Sequence, residues 1–254
     1  MTSVITLNEH QQTKIMAFLR TCCGIYVGQT EKTLRFKAAI LWIVRSGAQW
    51  ELLPEHYGKW NSVYKRFARW CDRGIFEQMH AYFANDPDWE CLLLDSTIIR
   101  AHPCAAGAQG ERGGQSGQAL GRSRSGFSTK IHLVVDALGN PLDFVLTAGQ
   151  AHDVTQGPAL LVGRHADYVI ADKGYDADAF LAVIEAIGAI PVIPARKNRT
   201  QPRYFDTHLY KERHLVECFI NKIKWYRRIF VRFDKLAKRF FGFLSFVSAL
   251  ICLR

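Results

Sequence analysis

Long apolar runs, paired cysteines and a nucleotide-binding fingerprint are what this 254-residue chain lacks. Its longest apolar stretch, Phe240 to Leu253, is only about fourteen residues, against the ~20 that a membrane-spanning helix needs. A buried helix is expected there instead. Met1 to Gln12 is polar and carries no apolar signal core, so the protein is expected in the cytoplasm. The seven cysteines are an odd number, and none forms a Cys-x-x-Cys pair. That excludes an evident disulfide framework or zinc site and fits reduced thiols. No Gly-x-x-x-x-Gly-Lys-Ser/Thr occurs, so the glycines do not announce a phosphate-cradling nucleotide loop.

What is present supports a packed protein with an anionic partner. Hydrophobic residues make up 48% of the chain and aromatics 12%, enough for a core and against wholesale disorder. The formal charge is +10, and it is concentrated. Between positions 195 and 239 fourteen Lys and Arg face four acids, while the rest of the chain balances at nineteen against nineteen. Such a block points to a polyanion, nucleic acid ahead of a membrane surface, with a solvated basic face as the plainer reading.

The pattern along the chain divides at about residue 86. Residues 1–86 read as helices over 7–20, 33–46, 60–71 and 75–84, from apolar residues at helical spacing. In the third of these, Val63, Tyr64, Phe67 and Trp70 share one face, and Lys65, Arg66 and Arg69 the other. Helices joined by a turn, the later one basic, build helix-turn-helix DNA readers, although many surface helices are basic on one side. Trp42, Trp50, Trp60 and Trp70 are expected in the core. Residues 87–254 read as strands at 91–99, 130–135 and 142–146, then helix 155–162, strand 168–171, helix 176–187, strand 190–194 and a long helical end. This order predicts an α/β ribonuclease-H-like domain with a mixed sheet flanked by helices, its first three strands antiparallel and the later ones parallel. Between the first two strands, the Gly/Ser/Arg-rich loop 103–127 is expected to lack regular structure. Its Arg112, Arg122 and Arg124 make it either a DNA-gripping loop or a passive linker.

Three acids stand out by position. Asp95 lies inside the apolar first strand, where a carboxylate is costly without a partner or a cation. Asp172 ends the fourth strand, in Val-Ile-Ala-Asp-Lys-Gly-Tyr, where parallel strands open onto ligand crevices. Glu217 lies in the late helix. In the expected sheet, strands one and four are neighbours and the last helix packs across them, so the three carboxylates converge. Two Mg²⁺ ions held by such oxygens break a phosphodiester without a nucleophilic side chain, and the sequence offers no convincing Ser or Cys centre. Tyr210, Arg213, Glu217 and Lys224 are spaced to share one helical face; the plainer reading is an exposed helix with an i,i+4 Arg-Glu pair. Asp153 and Asp176 are expected to cap helices, Asp136 to sit in a turn and Asp143 on a solvent face. The alternative reading puts His152-Asp153 near the metals, and His102 near DNA.

Tyr210-x2-Arg213-x3-Glu217-x6-Lys224, preceded by Leu93-Leu-Asp-Ser-Thr97 and Ile170-Ala-Asp-Lys-Gly-Tyr175, resembles the DDE transposases of bacterial insertion sequences. The stretches Gly47 to Trp60, Gly121 to His132 and Ala148 to Asp153 resemble the same group, so the likeness runs from about residue 30 to the end. The resemblance implies Asp95, Asp172 and Glu217 as ligands of two Mg²⁺ ions, with Mn²⁺ able to substitute. It implies Tyr210, Arg213 and Lys224 as accessory DNA contacts, and helices of residues 1–86 that recognise the element's ends. The implied partners are double-stranded DNA, at element ends and target, and a second copy of the chain in a synaptic complex. No membrane and no small-molecule substrate are implied. A nuclease of the same fold without strand transfer, or a catalytically silent DNA-binding descendant, are the alternatives.

Overall fold

The computed structural model describes residues 7–108, 116–123, 126–197, 199 and 203–253. In chain order it forms helices α1 (Glu9–Thr21), α2 (Thr30–Ser46), α3 (Trp60–Asp72) and α4 (Ile75–Phe83), then strands β1 (Cys91–Ala101), β2 (Gly121–Ser123), β3 (Gly126–Val135) and β4 (Pro141–Ala148). After these come α5 (Gly157–Leu161), β5 (Tyr168–Ile170), α6 (Asp178–Ala186), β6 (Ile190–Val192) and α7 (His214–Lys224), and finally α8 (Arg227–Phe230), β7 (Val231–Arg232) and α9 (Ala237–Cys252). The chain separates into two compact units, residues 1–85 with 223–254, and residues 86–222.

The first unit is helical because its apolar residues recur on one side of each helix. Asn8 starts α1 with a capping box, its Oδ1 accepting from Gln11 N at 2.8 Å and its own N–H donating to Gln11 Oε1 at 3.2 Å; such a cap stabilises by about 1 kcal/mol. Gly47 ends α2 in the left-handed region (φ 69°), where a side chain would be strained. The apolar run near the end of the sequence becomes α9, buried over most of its length. Phe243 stacks on Phe67 at 4.3 Å, and Phe246 meets Phe76 edge-on at 5.7 Å. Each such ring contributes roughly 2–3 kcal/mol by burial. This explains a difference from the expected boundary: α9 is buried over most of its length, and residues 223–254 complete the helical unit instead of extending the sheet domain. Of the tryptophans, Trp70 is buried, Trp42 and Trp50 are partly buried, and Trp60 is exposed.

The second unit holds the mixed sheet. β1 runs antiparallel to β3, with Asp95 opposite Leu133 and Ser96 opposite His132. On its other side β1 is parallel to β5, which is parallel to β6. β3 also pairs antiparallel with β4, and its first residues with β2. The order β4-β3-β1-β5-β6 is the ribonuclease-H-like arrangement: three antiparallel strands, then parallel ones. Leu92, Leu94, Val134 and Val169 pack one face against Leu160 and Leu161 of α5 and Phe180, Leu181 and Ile184 of α6. Even positions of β1 therefore face this core, and odd positions, Asp95 among them, face the other way.

Within 103–127 the expectation of a structureless loop is corrected for the described part. β2 pairs with β3, and short 3₁₀ turns occupy 103–105 and 116–118. Gly121 lies so close to Gln150 and Gly149 that a Cβ there would collide, and Leu120 packs on Ala101 and Ala105. Glycine serves close approach here more than freedom. Arg112 and Arg124 fall outside the described residues.

Candidate active site

The strand β1 carries Asp95 into the interior, where the residue is 9% exposed. Ser96 N donates to its Oδ1 at 2.8 Å, and Arg213 Nη2 to its Oδ2 at 2.7 Å. Arg213 also donates through Nη1 to Glu217 Oε1. One guanidinium thus joins a carboxylate in the middle of the sheet to one on α7, 122 positions later in the sequence. The i,i+4 Arg-Glu pair anticipated as the plainer reading exists, but it is not an isolated surface pair, since the same arginine reaches Asp95.

Asp172 follows the end of β5, beside β1. Its Oδ1 accepts from Gly174 N at 2.8 Å and so caps a 3₁₀ turn over 173–175. It lies within electrostatic reach of Asp95. Burial raises the Asp95 pKa to about 6; Arg213 and the Ser96 amide oppose the rise, and the charges of Asp172 and Glu217 add to it. The hydroxyl of Tyr175 is buried and has no hydrogen-bond partner among the described residues. Burial, then the charges of Asp153, Asp95 and Asp172, push it far above the ordinary phenol range.

Tyr210 and Arg213 do not lie on one regular α-helix with Glu217. They occupy a 3₁₀ turn, 209–213, that leads into α7. The tighter turn alters the spacing that four residues on an ideal helix would have. Tyr210 packs edge-on against Phe205 at 5.5 Å, and burial raises its pKa. Lys224 ends α7 and groups with the first unit.

Carboxylate oxygens are the donors a hard divalent cation prefers, and the mutual repulsion of three acids near one another is the charge such a cation relieves. Among the described residues, however, no three His, Cys, Asp or Glu side chains stand together at metal-holding distance. The Arg213 guanidinium bridges Asp95 and Glu217, and Asp172 is turned to its own cap. The donor chemistry fits a divalent ion, with Arg213 as the present counter-charge.

Ser96, Lys130 and His132, not singled out from the sequence, support this arrangement from behind. On the opposite face of β1, Ser96 Oγ donates to Asp153 Oδ1 at 2.6 Å, and Lys130 Nζ donates to the same atom at 3.0 Å and to Ala151 O at 2.7 Å. His132 Nδ1 stands 3.6 Å from Asp153 Oδ1, while its Nε2 is 2.8 Å from Thr147 Oγ1. Burial lowers the His132 pKa to about 4, so the ring is neutral. The signal was Lys130 and His132 at alternate positions of the otherwise apolar stretch 130–135, polar groups that needed partners. Asp153 is therefore not the helix cap expected of it; it gathers Ser96 and Lys130, and His152 begins the 3₁₀ turn without a side-chain cap.

Asp176 also departs from its expected capping role. α6 begins after Ala177 without a side-chain cap. The buried Asp176 carboxylate instead accepts from Arg196 N at 2.8 Å, Arg199 Nη1 at 3.3 Å and Arg203 Nη2 at 3.1 Å. Arg196 also donates to Lys173 O and Gly174 O, at 3.1 and 2.7 Å. Part of the basic block is thus spent on bracing the turn that follows Asp172. Asp136 is the expected turn residue, accepting from Leu138 N and Asn140 N. Asp143, half exposed, pairs with Arg164. His102 accepts from Cys104 N.

Elsewhere, Arg122 is exposed and lies over Phe127 at 5.7 Å. Lys65 and Arg69 are exposed on α3. Arg66 is not on a free polar face as its position suggested: its guanidinium lies over Phe36 at 4.4 Å and Trp70 at 5.3 Å.

The family model described as "Transposase DDE domain" matches residues 87–251, well over half of the chain. The chain belongs to the DDE transposases. A second model, "Putative transposase of IS4/5 family", matches residues 10–80 of this transposase. A Brucella ovis relative, "Putative transposase for insertion sequence element IS6501", is 43% identical over 130 residues, covering 50% of this chain and 100% of the relative. A Burkholderia cepacia relative, "Putative transposase for insertion sequence element IS402", is 32% identical over 143 residues, covering 52% of this chain and 64% of the relative. A solved pre-cleavage Mos1 transpososome aligns over 98% of this transposase and 97% of its own chain, at 11% identity and a TM-score of 0.27. That score is too low to carry a likeness of fold. No helix among the described residues is long and apolar enough to cross a membrane.

Proposed function

We propose that this transposase hydrolyses phosphodiester bonds at the ends of an insertion sequence and joins the freed 3′-hydroxyl to target DNA, using Asp95, Asp172 and Glu217 with Mg²⁺. The observation that carries this is the Arg213 bridge from Asp95 to Glu217 beside Asp172. It supports a cation-dependent site built from three sequence-distant carboxylates. When bound, two Mg²⁺ ions, with Mn²⁺ as substitute, would supply activation of water or the 3′-hydroxyl and stabilisation of the leaving oxygen. Asp95 and Asp172 hold that charge at the sheet, and Glu217 closes the site from α7. Arg213, Tyr210 and Lys224 contact DNA phosphates and the DNA end. Arg122 and Arg124 grip DNA from the 103–127 segment, and Lys65, Arg66 and Arg69 do so from the region 1–86, which recognises the element ends. Joining two ends requires two active sites, so the working form is a homodimer in a synaptic complex. The protein works in the bacterial cytoplasm at the nucleoid, where its substrate lies.

The test uses purified protein, element-end DNA, a supercoiled target plasmid and Mg²⁺, beside a Glu217→Gln variant. Cleavage and joining by the wild type alone are expected. Cleavage without joining assigns a nuclease, and tight binding without cleavage by either protein assigns a silent DNA-binding descendant; either outcome ends the proposal.

A further inference from the structure

The first unit contains a basic groove of about 360 Å³, lined by Lys32 and Thr33 of α2, by Arg66, Arg69 and Trp70 of α3 with its C-cap Arg73, and by the 24–29 connection. No carboxylate is among its lining residues. None of its four cations takes part in an ion pair among the described residues. Arg66 donates to the Thr33 hydroxyl at 3.1 Å, and Arg73 to the carbonyl of Gly24 at 2.8 Å. Both acceptors are neutral, so the charge is left uncompensated. The Arg66 guanidinium is moreover held against two rings, and burial, then the neighbouring Arg69, depress its pKa. An unpaired, partly desolvated cation is unfavourable unless an anion offsets it.

A second feature points the same way. The first turn of α2, a 17-residue helix, forms one wall, and its N-cap Gln29 makes no side-chain cap hydrogen bond. Helix N-termini favour negative charge through their unsatisfied N–H groups and dipole. Arg66, Arg69 and Arg73 recur at i, i+3 and i+7, along one side of α3. Lys32, Arg69 and Arg73 are exposed, so the groove is open along its length, a shape suited to a chain of anions more than to one enclosed ion.

We propose that this groove seats backbone phosphates of duplex DNA, with Arg66 as the fixed inner cation and Lys32, Arg69 and Arg73 as the outer contacts. This rests on the reading of the protein as a DNA transposase and assigns a phosphate track to its first unit. Phosphate contacts of this kind set register and affinity without reading sequence.

The experiment measures binding of the full-length protein to a non-specific duplex in EDTA, as a function of salt. The parent is compared with a Lys32→Gln/Arg69→Gln/Arg73→Gln variant and with a Lys14→Gln/Arg20→Gln control on the exposed side of α1. Arg66 is retained because its stacking contributes to packing. Each lost phosphate contact flattens log K against log[salt] by about 0.9, so a flattening of roughly 2–3 is expected in the triple variant at unchanged helicity and melting temperature. An unchanged slope, or an equal flattening per charge in the control, overturns the groove. Inorganic phosphate that raises the melting temperature of the parent but not of the triple variant, with the duplex slope intact, reassigns the groove to a small anion and also overturns it. Since binding is read without metal, failure of end cleavage with Mg²⁺ leaves this result standing, and failure of the groove leaves cleavage standing.

Discussion

Asp95 is one residue under two opposing pressures. Burial favours its neutral form; the Arg213 guanidinium and the Ser96 amide favour the ionised one, and burial prevails, raising its pKa to about 6. The unfolded carboxyl titrates near 3.9. A group raised on folding contributes stability that is fully present below the unfolded pKa and is lost as the pH climbs through the folded one. Metal-free protein is therefore expected to lose up to about 3 kcal/mol, at 1.36 kcal/mol per unit, between about pH 4 and 6 through this one residue. Asp95→Asn removes that component. Urea midpoints of both proteins across pH 4–7 test it; an identical pH slope in wild type and Asp95→Asn would rule the assignment out. The sequence made Asp95 visible, since a lone acid in an apolar strand needs a reason. It did not reveal that Arg213 supplies the counter-charge, because that contact joins residues 118 positions apart.

At the scale of elements, the arrangement of β1, β5 and the helices was legible from alternating and helical periods, and the boundaries moved by only a few residues. The missed pieces are those whose cause is tertiary. β2 forms in a glycine-rich stretch because Gly121 is wedged against Gln150 and Gly149. Asp153 and Asp176 precede or open turns, the usual place for a cap, yet both are claimed by cations from distant strands or loops. Two substitutions probe these elements. In Asp176→Ala, Arg196 N, Arg199 and Arg203 lose a buried acceptor, for which about 3 kcal/mol is expected; Asp176→Asn keeps an acceptor and loses clearly less. Equal denaturation midpoints for Asp176→Ala and wild type would show the brace to be idle. In Gly157→Ala, the new methyl meets the Phe180 ring, whose Cζ lies 2.7 Å from the Cβ position. α5 must then shift from α6, at about 1–3 kcal/mol, readable as a lowered melting temperature.

For the whole molecule, the sequence indicated two regions but placed their boundary by motif order alone. The first unit is discontinuous: α3 and α4 need the rings of α9, which follows the second unit in sequence, and Arg239 grips Asp72 through two nitrogens at 3.0 and 2.9 Å. A fragment of residues 1–85 is therefore expected to expose apolar surface, bind a hydrophobic dye and show weak helicity. Addition of a 223–254 peptide restores helicity and displaces the dye. A cooperative, dye-free melt of 1–85 alone would contradict the division.

This discontinuity has a consequence for synthesis. The ribosome makes the first four helices early, but the helix that completes their core emerges only after the entire second unit. At ~5–20 residues per second, the wait across residues 86–222 is on the order of ten seconds. During that time the early helices have no finished interior, while the second unit already has β1 to β6. Translation that stops inside the second unit leaves a chain whose groove-bearing half never matures, so a firm hold on DNA through that half is reserved for chains read through to α9.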